Sequence, residues 1–305
     1  MLIEYEGHIT ETEKRLLLRF PKKLCIYSID YRNHCLYLLD RIRSQAIRKE
    51  NITLDFSLLE EMSAAGAVAL FARVTSAQIA SRNDQLFQIV QPKQHEARQR
   101  FRRSGLFSAI KPGGRRKLDR LWEEKNRFLS GYDQEKHLDP TLELIGETVK
   151  TPNHLKEAIN EAILNIQQHA YRDPVNGQNK GMIKRWWQYC YFENSPRRFV
   201  FVISDLGQSI PSTFSRSTLS HAELISHAMK KGISSTGEPW RGKGSQNIKE
   251  PVEQEASDKL IVLSGSGLYV YNSTSIAEEL INLEVPYFGT LIAWSFDLSG
   301  DEYDN

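Results

Sequence analysis

The sequence has only three cysteines, Cys25, Cys35 and Cys190, widely spaced along the chain. That spacing excludes a disulfide framework and a zinc motif, and a reducing cytosol is the natural home of such a chain. No apolar run approaches the ~20 residues that a membrane span needs. The opening MLIEYEGHITETEKR also lacks the basic-then-apolar layout of a signal peptide, so the expectation is a cytoplasmic protein with no membrane span. An excess of one charge is missing too. Lys and Arg total 40 against 38 Asp and Glu, and overall charge does not mark a polyanion-binding protein. Internal repeats and low-complexity tracts are absent.

What is present is length and pattern. The 305 residues allow two ordinary domains, each with its own core. Charge is unevenly placed: Gln91 to Arg120 holds ten basic and two acidic residues, a local +8 that leaves −6 for the remainder. The basic side chains there (Arg98, Arg100, Arg102, Arg103, Arg115, Arg116, Lys117 and Arg120) could meet the phosphates of nucleic acid or lipid. Aromatic support is limited to Phe101, Phe107 and Trp122, and nucleic-acid binding is not the favoured reading. A solvated helix face, or contact with an acidic surface on a partner or on the other domain, is preferred.

From Lys23 to about Ile110 short strands and helices alternate. LCIYSI reads as a strand, Cys35 to Lys49 as an amphipathic helix, and NITLDFS as a second strand. SAAGAVALFARVTSAQIAS follows as a helix whose small residues suit close packing on a sheet, and LFQIV is the next strand. That order predicts a small α/β layer with right-handed crossovers. Residues 111 to 144 break the rhythm with KPGGRRK and read as a charged, partly helical connector. In the second domain, residues 145 to 305, Thr151 can cap a helix, Pro152 fits its first turn, and the helix runs through His169. Strands are expected over MIKRWWQYCYF, RFVFVISD, KLIVLS, LYVYN and GTLIAWSF, forming a mainly antiparallel α/β sandwich.

On a 3.6-residue period Leu155, Ala158, Ile159, Ala162, Ile163, Ile166 and Ala170 form one apolar face. Glu161 and Asn165 lie along its edge, where a helix passes from core to pocket. Taken alone they could as well be boundary residues that meet water. His169 shares their spacing but advances about 40° per four residues, and reads as a mostly buried imidazole. Asp205 ends the apolar strand Phe199 to Ile203 just before Gly207. Such an acceptor can take a hydrogen bond from an exocyclic amine beside backbone that approaches a flat ring, or it can be an ordinary turn. GISSTGEPWRGKGSQNI sets Gly232, Gly237, Gly242 and Gly244 among hydroxyls and cations, which suits a polyphosphate or a flexible surface loop. A P-loop is rejected, because Gly244 stands where a hydroxyl should bind magnesium and no strand feeds directly into the loop.

Taken in order, Glu161-x3-Asn165-x3-His169, Asp205-x-Gly207, the loop ending in Arg241-Gly242-Lys243-Gly244, and Gly289-Thr290 resemble the motifs of GHKL ATPases. That superfamily includes gyrase B, the heat-shock 90 chaperones, the MutL proteins, histidine kinases and the anti-sigma-factor serine kinases. The resemblance covers about residues 145 to 298 and implies a Bergerat-type sandwich that binds ATP with magnesium. It implies that Asn165 holds magnesium and that Glu161 orients and deprotonates the attacking water. Asp205 would accept from the adenine amine, Thr290 would support that contact through water, and Gly207 would admit the base. Gly242 and Gly244 would turn their backbone toward the phosphates, with Lys230, Lys231, Arg241 and Lys243 as candidate phosphate contacts and Ser212 to Arg241 as a mobile lid. Two features depart from the family pattern: Ser209 replaces its second glycine, and the polar SQNIKEPVEQEA, with Pro251, follows Gly244 where an apolar helix is usual. No phosphoacceptor helix is found, since His8, His34 and His95 are isolated.

ITLDFSLLEEMSAAGAVALFARV, with Asp55 ending a strand and small residues before Gly66, resembles the STAS fold of anti-sigma-factor antagonists, and RRSGLFSAI resembles its closing helix and turn. The likeness covers about residues 20 to 110 and implies an interaction module over 1 to 110. The family's phosphorylatable serine falls on Ala64 here, with Ser63 adjacent. The sequence thus leads to an α/β protein in which a STAS-like module joins a GHKL-type domain. The expected function is Mg-ATP binding with slow hydrolysis, changing the surface offered to a protein partner or to a second copy of the chain. A protein serine/threonine kinase resembling anti-sigma factors and a non-catalytic nucleotide-sensing scaffold are the alternatives.

Overall fold

A computed structural model gives the fold, and it describes residues 11–12, 15–48, 51–172, 184–194, 196–214, 217–230, 244–253, 257–272 and 277–299. The chain divides into two compact units, Met1–Leu129 and Ser130–Asn305. Among the described residues no helix is long and apolar enough to cross a membrane.

The first unit contains β1 (Glu11–Thr12), β2 (Arg15–Arg19), β3 (Lys23–Leu24), α1 (Ile29–Arg48), β4 (Asn51–Asp55), β5 (Glu61–Met62), α2 (Ala64–Ser81), β6 (Phe87–Val90), α3 (His95–Arg103), α4 (Leu106–Ile110) and α5 (Gly114–Glu123). Its sheet runs β1-β2-β4-β6, with β2, β4 and β6 parallel, and β3 pairs with β5 alongside. RLLLR, and not LCIYSI, is the first long strand. Leu24 and Ile26 are fully buried, but the chain turns at Ser28, whose carbonyl accepts from Tyr31 and Arg32 and starts α1 well before Cys35. Ser63 caps α2 by accepting from the Gly66 N–H at 3.1 Å and donating to the Leu24 carbonyl at 3.2 Å. Between sheet and helices Phe20 stacks on Phe56 with centroids 4.6 Å apart, and Phe101 tilts against Phe56 at 5.2 Å. Each such buried ring contributes about 1.5–3 kcal/mol of transfer free energy. Burial pushes the Asp55 carboxyl up, but hydrogen bonds from Arg19 and Ser57 outweigh it and hold the group below the usual carboxylate range.

Among the buried cations of this unit, Arg32, Arg73 and Lys117, the lysine titrates. Lys117 is buried, and its ammonium donates to Gln78 Oε1 at 2.8 Å and to the Lys111 carbonyl at 2.6 Å. Burial lowers its pKa to about 7; Asp84 opposes that shift and Lys111 adds to it. Between this value and the ordinary 10.5 the unfolded chain holds a proton that the folded chain lacks, so stability rises with pH across the window. Lys117→Met has no such proton. The native-minus-variant unfolding free energy should climb by ~1.4 kcal/mol per pH unit upward from neutral. Denaturant melts at stepped pH measure this, and a flat difference would remove the buried cation from the account.

The second unit's elements are β7 (Phe128–Gly131), which begins just before the unit boundary, α6 (Gln134–Gly146), α7 (Leu155–Asn165), β8 (Trp186–Asn194), β9 (Arg197–Asp205), α8 (His221–Ala228), α9 (Gly244–Lys249), β10 (Lys259–Asn272) and β11 (Ala277–Asp297). The sheet order is β10-β11-β9-β8-β7, with β10, β11, β9 and β8 successively antiparallel. The stretch expected as a connector, 111–144, carries α5, the strand β7 and most of α6. KLIVLS and LYVYN are one 14-residue strand whose register shifts at Gly265 and Gly267. Thr151 does not cap α7. His154 precedes the helix in left-handed backbone, φ 60, and the Leu155 N–H returns to the Pro152 carbonyl at 3.2 Å. The predicted apolar face of α7 is buried against Trp186, Phe199, Phe201 and Trp294 in one core.

Candidate functional site

Helix α7 carries Glu161 and Asn165, both half-buried at the margin of that core. Neither side chain has a hydrogen-bond or ion-pair partner among the described residues. Neighbouring Asn160, by contrast, accepts from the Gln134 amide. Burial pushes the Glu161 carboxyl above the usual carboxylate range. After Asn165 the helix widens into a π turn, Ile166–Ala170. Bonding from i to i+5 turns the chain less per residue than an α-helix does. His169 therefore does not advance into the core as an α-helical period demands. It is half-buried rather than mostly buried, and Ala170 takes the buried place.

The widened turn ends where the loop after β9 rests. The Gln208 N–H donates to the Ala170 carbonyl at 2.6 Å, and the Gln208 side-chain amide donates to the Arg172 carbonyl. Tyr171 Oη accepts from the Leu206 N–H at 3.2 Å and donates to the Arg185 carbonyl at 2.5 Å. Gly207 lies so close that a Cβ there would fall 2.1 Å from the Ala170 oxygen. Asp205, 3% exposed, accepts from the Gly207 N–H at 2.8 Å through Oδ1. The strand end and the helix end are thus fastened together, with the loop after Asp205 bonded to the chain five residues beyond Asn165.

The register brings in the last predicted residue. Ser204 pairs with Leu291, so Thr290 comes next to Asp205 on the neighbouring strand, and Thr290 itself pairs with Ser264. Gly289, at φ 96, packs its α-carbon onto the Asp205 carbonyl; a Cβ would lie 2.2 Å from that oxygen. The buried Ser264 Oγ contacts Thr290 Oγ1 at 2.9 Å, donates toward the Gly289 carbonyl at 3.0 Å and accepts from the Ile210 N–H at 2.8 Å. Ser204 Oγ similarly meets Tyr287 Oη at 2.6 Å and the Thr290 carbonyl at 3.0 Å. Sequence reasoning missed Tyr171, Ser204, Ser264 and Tyr287, which hold the site's backbone. A serine breaking the apolar run of KLIVLSGSGLYVY was the available signal.

The remaining predicted residues are less gathered. Lys230 is exposed, with its backbone N–H on the His227 carbonyl at 3.2 Å. Lys231, Arg241, Gly242 and Lys243 lie outside the described residues, and Gly244 opens α9. Of the segment expected to be a lid, Ser212 sits in a 3-10 turn, Ile210–Thr213, and α8 is held by a Ser220–Glu223 capping box with Ala222, Leu224 and Ile225 buried. Ser209 has φ −76 and ψ 151, extended backbone that needs no glycine. Pro251 sits in a short 3-10 turn after α9, yet Ile248 and Val252 still reach the core, and Trp294 Nε1 donates to the Ile248 carbonyl at 2.8 Å. Among the described residues no group of three or more His, Cys, Asp or Glu could hold a metal. Comparison of the chain with protein-family models, with curated proteins and with solved structures finds no match.

Proposed function

We propose that the second unit is a GHKL-type nucleotide site that binds Mg-ATP, hydrolyses it slowly and thereby controls a protein partner, with the first unit as a STAS-like interaction module. One observation carries this reading. Two half-buried polar side chains without partners among the described residues, Glu161 and Asn165, lie on the helix whose end seats the Asp205–Gly207 loop, and Thr290 lies beside Asp205. Half-buried carboxylates and carboxamides left unpaired are costly to keep without a ligand. The donor set fits magnesium, a hard cation that keeps several waters and takes one or two protein oxygens together with phosphate oxygens. Asn165 Oδ1 is such an oxygen.

In this reading Asp205 accepts from the exocyclic amine of the base, and Thr290 supports that edge. Asn165 would hold the metal, whose chemistry is to neutralise phosphate charge. Glu161, with its carboxyl pushed up by burial, orients a water and takes its proton, and positioning supplies most of what phosphoryl transfer to water needs. Titration calorimetry of Mg-ATP against the native chain and Asp205→Asn tests the reading. Asparagine can still accept from the Gly207 N–H, but it loses the charge that faces the amine. Affinity should fall at least ~10-fold, the size of one charge-assisted hydrogen bond. Unchanged affinity in the variant, or a native chain that binds no ATP, would overturn it.

A further inference from the structure

The arginines of α3 are not a merely solvated face. Arg98 donates to the Pro92 carbonyl at 2.8 Å and the Lys93 carbonyl at 2.9 Å, Arg100 to the Glu60 carbonyl at 3.0 Å, and Arg102 to Gln91 Oε1 at 2.7 Å. None of these guanidiniums meets a carboxylate among the described residues. The nearby Glu60 carboxylate is engaged by Lys22 at 3.2 Å, and Glu96, on α3 itself, is exposed. The arginines are therefore held in place by neutral acceptors, no carboxylate among the described residues compensates their charge, and each keeps N–H groups for a partner.

The carbonyls and amide that hold them belong to the loops leaving β4 and β6. The Lys93 N–H closes these loops onto each other through the Ser57 carbonyl at 3.1 Å. Two apolar side chains in these segments are exposed: Leu58, which lies in the chain between Ser57 and Glu60, by 47%, and Val90, next to Gln91, by 38%. Exposed apolar side chains in the segments that preorganised arginines hold have the composition of a protein interface. Single-stranded nucleic acid needs exposed aromatic faces for stacking. Here Phe101 is buried, and Arg102 lies over Phe107, 5.7 Å from its centroid. A phosphate backbone offers nothing to Leu58 or Val90.

We infer that Leu58, Val90 and the guanidiniums of Arg98, Arg100 and Arg102 form a docking surface for an acidic protein segment that carries an apolar anchor. The test uses the full chain and a labelled helical peptide with leucines on one face and glutamates elsewhere. Comparison probes are a glutamate-only peptide, a DNA duplex and a single-stranded RNA, each followed by fluorescence anisotropy. The leucine–glutamate peptide should bind best, and added salt should weaken it. Arg98→Glu/Arg100→Glu/Arg102→Glu should reduce its affinity at least ~10-fold, and Leu58→Ser should bring it down to that of the glutamate-only peptide. Both variants change exposed positions, and unchanged circular dichroism confirms the fold. No binding of the leucine–glutamate peptide, indifference to Leu58→Ser, or tighter binding of duplex or RNA would overturn the inference.

Discussion

Glu161→Gln should bind Mg-ATP as tightly as the native chain and hydrolyse it ~10²–10⁴-fold more slowly, the range that a general base contributes. It should also melt at a higher temperature at neutral pH. The two outcomes share one cause. Burial raises the folded-state pKa of this carboxyl, and the side chain has no partner among the described residues to offset its charge. The folded chain therefore holds the proton longer than the unfolded chain, and stability is lost as pH rises from the ordinary carboxylate value through the folded one. Glutamine carries no charge to desolvate, so the variant escapes that loss, and the two melting temperatures should converge in acid. Single-turnover hydrolysis and melts at acid and neutral pH measure both effects. A variant that hydrolyses normally takes the base role from Glu161, and one that melts lower at neutral pH shows that the carboxylate has a stabilising partner instead.

The parts of the fold that could be read in advance are those with a repeating pattern long enough to have one answer. Helix α2 is apolar almost all round with small residues, the apolar face of α7 recurs through the helix and into the π turn, and β9 joins five apolar residues to Asp205. Short elements carry no such signal. RLLLR and FLSG are five and four residues long, and only their neighbours in the sheet make them strands. LCIYSI has the composition of a strand, but Ser28 offers its carbonyl to a helix start, and a local hydrogen bond decides between two conformations that composition leaves equal.

The candidate site was legible in its chemistry-bearing residues and not in what supports them. Glu161, Asn165, Asp205 and Thr290 are polar at the ends or edges of apolar runs, which sequence displays. The π turn after Asn165 leaves no periodic mark, so the exposure of His169 could not be foreseen. Nor could Ser264, whose importance lies in joining Ile210, Gly289 and Thr290 across two strands and a loop. Tertiary hydrogen bonds of that kind are fixed by register, and register depends on where the bulges at Gly265 and Gly267 fall.

Gly289→Ala should destabilise the second unit by about 2–5 kcal/mol, combining the strain of left-handed backbone with overpacking of a closed contact. The native φ is 96, and the added Cβ would fall 2.2 Å from the Asp205 oxygen and 2.9 Å from Leu206 Cα. Those atoms are backbone, so relief requires β9 and β11 to separate at the point where Asp205 and Thr290 lie side by side. Nucleotide affinity should therefore fall with stability. Gly207→Ala meets the Ala170 carbonyl at 2.1 Å without a positive φ, so it should cost less stability while lifting the Asp205 loop from the helix end and weakening ATP as severely. Gly146→Ala meets nothing within 4 Å and should be neutral or stabilising by about 0.4–1 kcal/mol, which makes it the control for glycine replacement as such. Denaturant melts and ATP titrations on the three variants separate the contributions. If Gly207→Ala binds ATP like the native chain, the seating of the loop on the π turn has no part in the site, and Glu161 and Asn165 act apart from Asp205.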